Sequence, residues 1–285
     1  MSTIKSLFRI SRPISWVNTA YPFAAAYMLG SGQLDLTFWL GSLYFLIPYN
    51  LLMYGINDVY DYESDLRNPR KGGVEGAVEA KAFHPTIIKA AILSNAPFLV
   101  ALMVLGTPLS NLILLAVVFL VIAYSLPPLR FKERPLIDSV TSSLHFVGPL
   151  LFALSIVGFT TTGFIAAGSF LLWGIASHIL GAVQDILPDR AAHIHSVATF
   201  LGARTAVRLA LVTYAAASGL LLWHGGLTAV AGIILLVYTL NVTPYWSVDD
   251  AHSGTVNRAW KRFLWLNYVV GFIVTLLIII AALTR

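Results

Sequence analysis

Apolar residues run along this chain in long uncharged blocks, not in the narrow stripes of a soluble amphipathic helix. Blocks broken by Gly, Pro or charge predict helices over 13–31, 38–57, 85–105, 109–126, 136–157, 163–184, 205–223, 226–245 and 263–283. Each lies near the length of about 20 residues that crosses a bilayer core. The pattern therefore predicts an all-α integral membrane protein with nine transmembrane helices. Such a bundle uses most of the 285 residues, so 1–285 reads as a single membrane domain whose remainder makes loops.

Composition agrees: 58% of residues are hydrophobic and 11% charged, against about 25% charged in soluble domains. The net charge of +5 has to be tested against topology before nucleic acid is considered, and its placement is topological. Lys5, Arg9 and Arg12 precede the first span; Arg67, Arg70, Lys71 and Lys81 follow the second, and Arg130, Lys132 and Arg134 follow the fourth. Arg190 and Arg204 follow the sixth, and Arg258, Lys261 and Arg262 precede the last. The turns near Gly32, Gly106, Thr161 and Gly225 carry no Lys or Arg. The positive-inside rule then places the N-terminus and the charged loops in the cytoplasm and the C-terminus outside a cell membrane, with no nucleic-acid partner. The opening stretch resembles a signal peptide ending in Ala24-Ala25-Ala26, but Trp16, Asn18 and Pro22 interrupt it, so it reads as a retained helix. With no cysteine, thiolate metal sites and cysteine nucleophiles are excluded.

Two acidic clusters lie in loops on the basic side. Asn57-Asp58-Val59-Tyr60-Asp61-Tyr62-Glu63-Ser64-Asp65 ends the second span. At about 100° per residue, Asp58, Asp61 and Asp65 share an arc of roughly 60° on one helix face. Three like charges there repel unless cations neutralise them, and carboxylate oxygens suit Mg2+, which bridges carboxylate to phosphate. Gln184-Asp185-Ile186-Leu187-Pro188-Asp189-Arg190 ends the sixth span. Its two acids are about 40° apart if the helix persists, though Pro188 is expected to disrupt that turn. Solvated loop acids are the other reading of both clusters. An EF-hand is disfavoured by the spacing, and the DGxxAR opening of CDP-alcohol phosphotransferases is absent.

Between the clusters, Tyr124-Ser125-Leu126-Pro127-Pro128-Leu129-Arg130-Phe131-Lys132-Glu133-Arg134 stops the fourth span and presents three cations on the same side. Arg130 and Lys132, with Asn57, Arg67 and Lys71, suit a diphosphate; purely topogenic charge is the alternative. Asn18, Asn50 and Gln184 would line a polar mouth or join helices by hydrogen bonds. His145 and His178 read as packing residues, and Trp260 and Trp265 as interface anchors.

The NDxxDxxxD cluster, the later DxxxD cluster and the Tyr-x-x-Pro-Pro-x-x-x-Lys stretch together resemble the UbiA superfamily of intramembrane prenyltransferases over nearly the whole chain. Ser11-Arg12-Pro13-Ile14-Ser15-Trp16, Tyr54-Gly55-Ile56-Asn57-Asp58, Arg67-Asn68-Pro69-Arg70-Lys71-Gly72-Gly73 and Phe263-Leu264-Trp265-Leu266-Asn267-Tyr268 resemble the bacterial lycopene elongases within it. The resemblance implies nine helices around a central cavity, with Asp58, Asp61, Asp65, Asp185 and Asp189 holding Mg2+ and diphosphate, and Lys132 at the superfamily's basic position. It also implies transfer of a dimethylallyl unit from dimethylallyl diphosphate to lycopene ends with hydration, toward fifty-carbon carotenoids such as flavuxanthin, and leaves room for other carotenoid-pathway subunits. Tyr54, one turn before Asp58, is the first candidate to stabilise an allylic cation, with Tyr60, Trp16 and Tyr21 behind it. His193 stands where many members carry a third acid. An aromatic, quinone-type acceptor is the alternative within the superfamily; a membrane transporter is the alternative outside it, which would place ionisable residues in mid-span.

Overall fold

The computed structural model describes residues 2–66 and 78–284. Among them all regular structure is helical, and eight segments are long and apolar enough to cross a membrane. The protein is a multi-pass membrane protein. The chain gathers into two compact units: Met1–Phe131 with His145–Phe159, and Lys132–Leu144 with Thr160–Arg285.

In the first unit α1 (Thr3–Ile10) is a strongly amphipathic helix that buries Ser6 and Ile10 and exposes Ile4 and Phe8. A 3-10 turn, Pro13–Ser15, leads into α2 (Trp16–Ser31). Its 16 residues span about 24 Å, so it is absent from the eight segments and the expected count of nine is approximate. The next predicted span is two helices, α3 (Leu36–Leu46) and α4 (Pro48–Tyr60). Pro48 has no N–H to continue the ladder. The carbonyls this break frees are met by Asn50, whose Nδ2 donates to Phe45 O at 2.8 Å and Leu46 O at 3.0 Å, and to Thr19 Oγ1 of α2 at 2.7 Å. Asn50 is thus a buried helix-joining residue. The short α5 (Tyr62–Asp65), α6 (His84–Leu105), α7 (Pro108–Ser125) and the part of α8 (Ile137–Val157) from His145 onward complete the unit. Phe45 sits at its centre, 5.4 Å from Phe23, 5.2 Å from Tyr49 and 5.9 Å from Phe152 between ring centroids.

The second unit holds the start of α8, then α9 (Thr161–Val183), α10 (Ile186–Ala191), α11 (Val197–Leu201), α12 (Ala203–His224), α13 (Gly226–Val242) and α14 (Asn257–Leu283). α12 packs against α9 and α13, and α13 against α14. Where α9 crosses α8, a Cβ on Gly174 would collide with the Ser143 side chain, and Ser143 Oγ donates to Leu171 O at 2.8 Å. α14 begins six residues before the apolar block, so Arg258, Lys261 and Arg262 form its polar first turns. Hydropathy marks the lipid-facing stretch of a helix and not its polar end. Trp260, expected as an anchor, is half-buried, stacked on Phe263 at 5.0 Å, whereas Trp265 is exposed.

Candidate active site

The helix of the first acidic cluster closes at Tyr60, yet its hydrogen bonding runs on: Asp61 N–H donates to Asn57 O at 2.9 Å and Asp65 N–H to Asp61 O at 2.8 Å. Near-helical spacing of the three acids therefore persists into α5. Asp58 and Asp65 are buried and Asp61 half-buried. The repulsion is met by side chains from distant segments. Arg12 Nη2 lies 2.6 Å from Asp58 Oδ1, and Arg130 Nη2 lies 3.8 Å from Asp61 Oδ1. Arg12 was read from sequence as topogenic charge; its position beside Pro13, at the junction of the amphipathic helix and the first span, was the available signal. Its guanidinium also covers one face of Tyr54, 4.2 Å from the centroid. A second cation on that face would repel the first, which leaves the opposite face for the role expected of Tyr54. Asn57 Oδ1 accepts a hydrogen bond from Ser125 Oγ at 3.1 Å, which ties α4 to α7 beside the basic stretch.

In the second cluster Pro188 does not break the turn. It sits in the first turn of α10, where its missing N–H would have no helical partner. Asp189 N–H donates to Asp185 O at 2.8 Å, so helical spacing is kept. Asp185 occupies the N-cap position, and both acids are half-buried. Gln184 Oε1 accepts from Asn257 Nδ2, which joins α9 to α14. Arg190 Nη1 turns to Asp250 Oδ2 at 2.7 Å and its Nη2 to Thr199 O at 3.2 Å. Asp250 Oδ1 in turn accepts the Ala203 N–H at 2.6 Å. That bond, ahead of Arg190, holds the Asp250 carboxyl below the ordinary carboxylate range.

Four non-glycine residues among those described adopt left-handed backbone, and three of them are Arg12, Arg130 and His193. Such conformations cost about 1–2 kcal/mol and cluster at functional segments. His193 follows α10 with an exposed ring. Lys132 is half-buried in the second unit. Arg67 and Lys71 lie outside the described residues.

Sequence reading gave no special place to Asp138. It is fully buried at the start of α8. Its Oδ1 accepts from Ser139 N–H at 2.6 Å and Ser139 Oγ at 3.0 Å; its Oδ2 accepts the Val197 N–H at 2.7 Å and faces His178 Nε2 of α9 at 3.6 Å. Asp138 thereby fixes the start of α11, just beyond the second acidic cluster. An acid just inside a span otherwise free of charge was the missed signal.

Whether these residues fit Mg2+ turns on donor chemistry. Asp58, Asp61, Asp65, Asp185 and Asp189 are all hard oxygen donors, which suits that ion. Among the described residues no three Asp, Glu or His side chains converge closely enough to hold an ion, and Arg12 occupies Asp58. A cation bound at Asp58 would therefore compete with the guanidinium.

Comparison with known proteins adds to this picture. The chain is 53% identical over 281 residues to a lycopene elongase/hydratase of Corynebacterium glutamicum, covering 98% of each. It is 50% identical over 282 residues to the C(50) beta-cyclic carotenoids biosynthesis protein LbtBC of a Dietzia species, covering 97% of this chain and 65% of that one. A solved UbiA homologue from Archaeoglobus fulgidus bound to DMAPP and Mg2+ shares the fold, with a TM-score of 0.68 at 21% identity over 93% of this chain and 98% of that one. A digeranylgeranylglyceryl phosphate synthase structure does so at 0.70 and 16% identity, covering both chains fully. Residues 19–267 match the UbiA prenyltransferase family, and with the acidic segments carried on membrane helices as described, this chain belongs to that family and is a prenyltransferase.

Proposed function

We propose that this protein transfers a dimethylallyl group from dimethylallyl diphosphate to an end of lycopene and adds water, one end after the other, toward a hydroxylated fifty-carbon carotenoid. The observation that carries the reading is the 53% identity to a lycopene elongase/hydratase along 98% of both chains. The site chemistry supports it. Diphosphate leaves only when its charge is neutralised, and acids at the end of α4 are already paired with guanidinium groups.

Asp58, Asp61, Asp65, Asp185 and Asp189 would hold Mg2+, which when bound supplies charge neutralisation of the diphosphate oxygens. Arg130 and Lys132, with Arg67 and Lys71, grip the same group, and Asn57 orients it from α4. Arg12 pairs with Asp58 while the site awaits substrate. Tyr54 lies one turn before Asp58, where the ring face away from Arg12 would favour a developing allylic cation, and the apolar helices would exclude water until bond formation. The basic loops face the cytoplasm.

Product analysis in a lycopene-producing host tests this reading. Masses raised by prenyl plus water are expected; unchanged lycopene beside verified protein would overturn it. Reporters fused after Arg134 and after Gly106 should report cytoplasm and outside, respectively, and the reverse would invert the orientation.

A further inference from the structure

The helix α1 takes no part in the chemistry considered so far, and it is too short to span. Its 8 residues rise about 12 Å, less than half of a hydrocarbon core of about 30 Å. Its sides differ sharply. Ser6 and Ile10, one turn apart, are buried, and Leu7 beside them is half-buried. On the other side Ile4 and Phe8, also one turn apart, are 80% and 55% exposed. Lys5 and Arg9 form a second exposed row, turned about 100° round the helix from the first. The helix holds no acid, and neither cation pairs with an acid among the described residues.

We infer that α1 lies in the headgroup layer and binds anionic phospholipid, with Ile4 and Phe8 entering the edge of the acyl region while Lys5 and Arg9 take lipid phosphates. Three observations carry it. The first is depth. The Ile10 side chain comes within 3.7 Å of where a Cβ on Gly55 would stand, so the inner face of α1 is seated on α4. Gly55 lies five residues before the end of that helix at Tyr60, or about 8 Å along it. α1 is therefore fixed at the border of a span, level with the first acidic cluster.

The second observation is the junction with α2. The chain does not run on as one helix: Arg12 turns left-handed with φ 50°, and the 3-10 turn Pro13–Ser15 follows before α2 begins at Trp16. Trp16 Nε1–H donates to Ser11 O at 3.0 Å, and its ring meets Phe8 edge-on at 5.3 Å. A tryptophan at the first residue of a membrane helix marks the interface, and Phe8 is held at the same level. The third observation is charge. Lys5 and Arg9 stand one turn apart on flexible apolar stems that carry their heads to the phosphate layer, and two cations with no protein acid select a headgroup of net negative charge. A protein partner is the poorer occupant, because two apolar side chains fall well short of the roughly 800 Å² that each side of a stable interface supplies.

The test uses the full protein in phosphatidylcholine nanodiscs. Because the chain has no cysteine, Thr3→Cys gives a single site for a fluorescent label on the exposed first residue of α1 and leaves both rows intact. Quenching is read with a trace of spin-labelled phosphatidylglycerol and, separately, with the same amount of spin-labelled phosphatidylcholine. One cation at the surface favours an anionic lipid by about fivefold, so phosphatidylglycerol should quench at least about threefold more strongly. Lys5→Gln with Arg9→Gln should bring the ratio close to one with normal accumulation in membranes, as should salt at about 1 M. Ile4→Ser with Phe8→Ser should weaken quenching by both lipids about twofold. A ratio near one in the labelled parent, or one that the double charge variant leaves unchanged, overturns the inference. Absence of quenching by either lipid also overturns it, since another molecule then covers that face.

Discussion

In the first unit the acids after α4 are met by guanidinium groups arriving from far along the chain, Arg12 at Asp58 and Arg130 at Asp61. In the second, Arg190, the cation of α10 itself, is turned to Asp250 and Thr199, and the acids keep their spacing through backbone bonds in a short helix. The first segment depends on side-chain cations that a diphosphate would compete for. The spacing of the second is held by local backbone geometry, which loss of Arg190 would leave in place. Removing a cation should therefore do very different things to the two.

The largest effect is expected from the acids. Asp61→Asn and Asp189→Asn should each lower turnover by at least about 100-fold with normal accumulation in membranes; activity within a few-fold of wild type would remove that residue from the site. Next comes Arg12→Gln, which leaves Asp58 buried without its guanidinium. It should cost about 3 kcal/mol of stability, and Asp58→Asn in the same chain should return most of that. A cycle with no coupling would make the Arg12 contact incidental. Arg190→Gln breaks a pair exposed on both sides and should cost less than about 1 kcal/mol. A loss as large as that of Arg12→Gln would erase the contrast between the units.

The smallest effect concerns acid. Because the Ala203 N–H and then Arg190 keep the Asp250 carboxyl low, the folded state takes up its proton less readily than the unfolded chain. The stabilisation is present above the unfolded value of about 3.9 and is lost as pH falls through the lower folded value. Thermal unfolding should show wild type losing its advantage over Asp250→Asn below about pH 4; parallel curves would mean that Asp250 does not contribute.

The helices were legible because a span of hydrocarbon thickness imposes a length that hydropathy reads directly. Polar ends were not, which is why α14 was placed six residues late and the break at Pro48 was missed inside an unbroken apolar run. The acidic positions were legible because carboxylates beside apolar spans stand out. Arg12 was visible only as charge, since its partner lies 46 residues away and pairing at that range has no local signature. Pro188 misled for a related reason: the same residue breaks a helix interior and suits a first turn, and where α10 begins is decided by tertiary packing. His178 reads as a packing residue in the sequence, and its partner Asp138, 40 residues earlier on another helix, has no local signature.

The most direct measurement is acceptor choice by the purified protein in nanodiscs, with labelled dimethylallyl diphosphate offered together with lycopene and an aromatic acid, in Mg2+ and again in EDTA. Label entering hydroxylated carotenoid in Mg2+, and none in EDTA, is the predicted result. Label in the aromatic acid, or transfer to lycopene undiminished by the chelator, would contradict it.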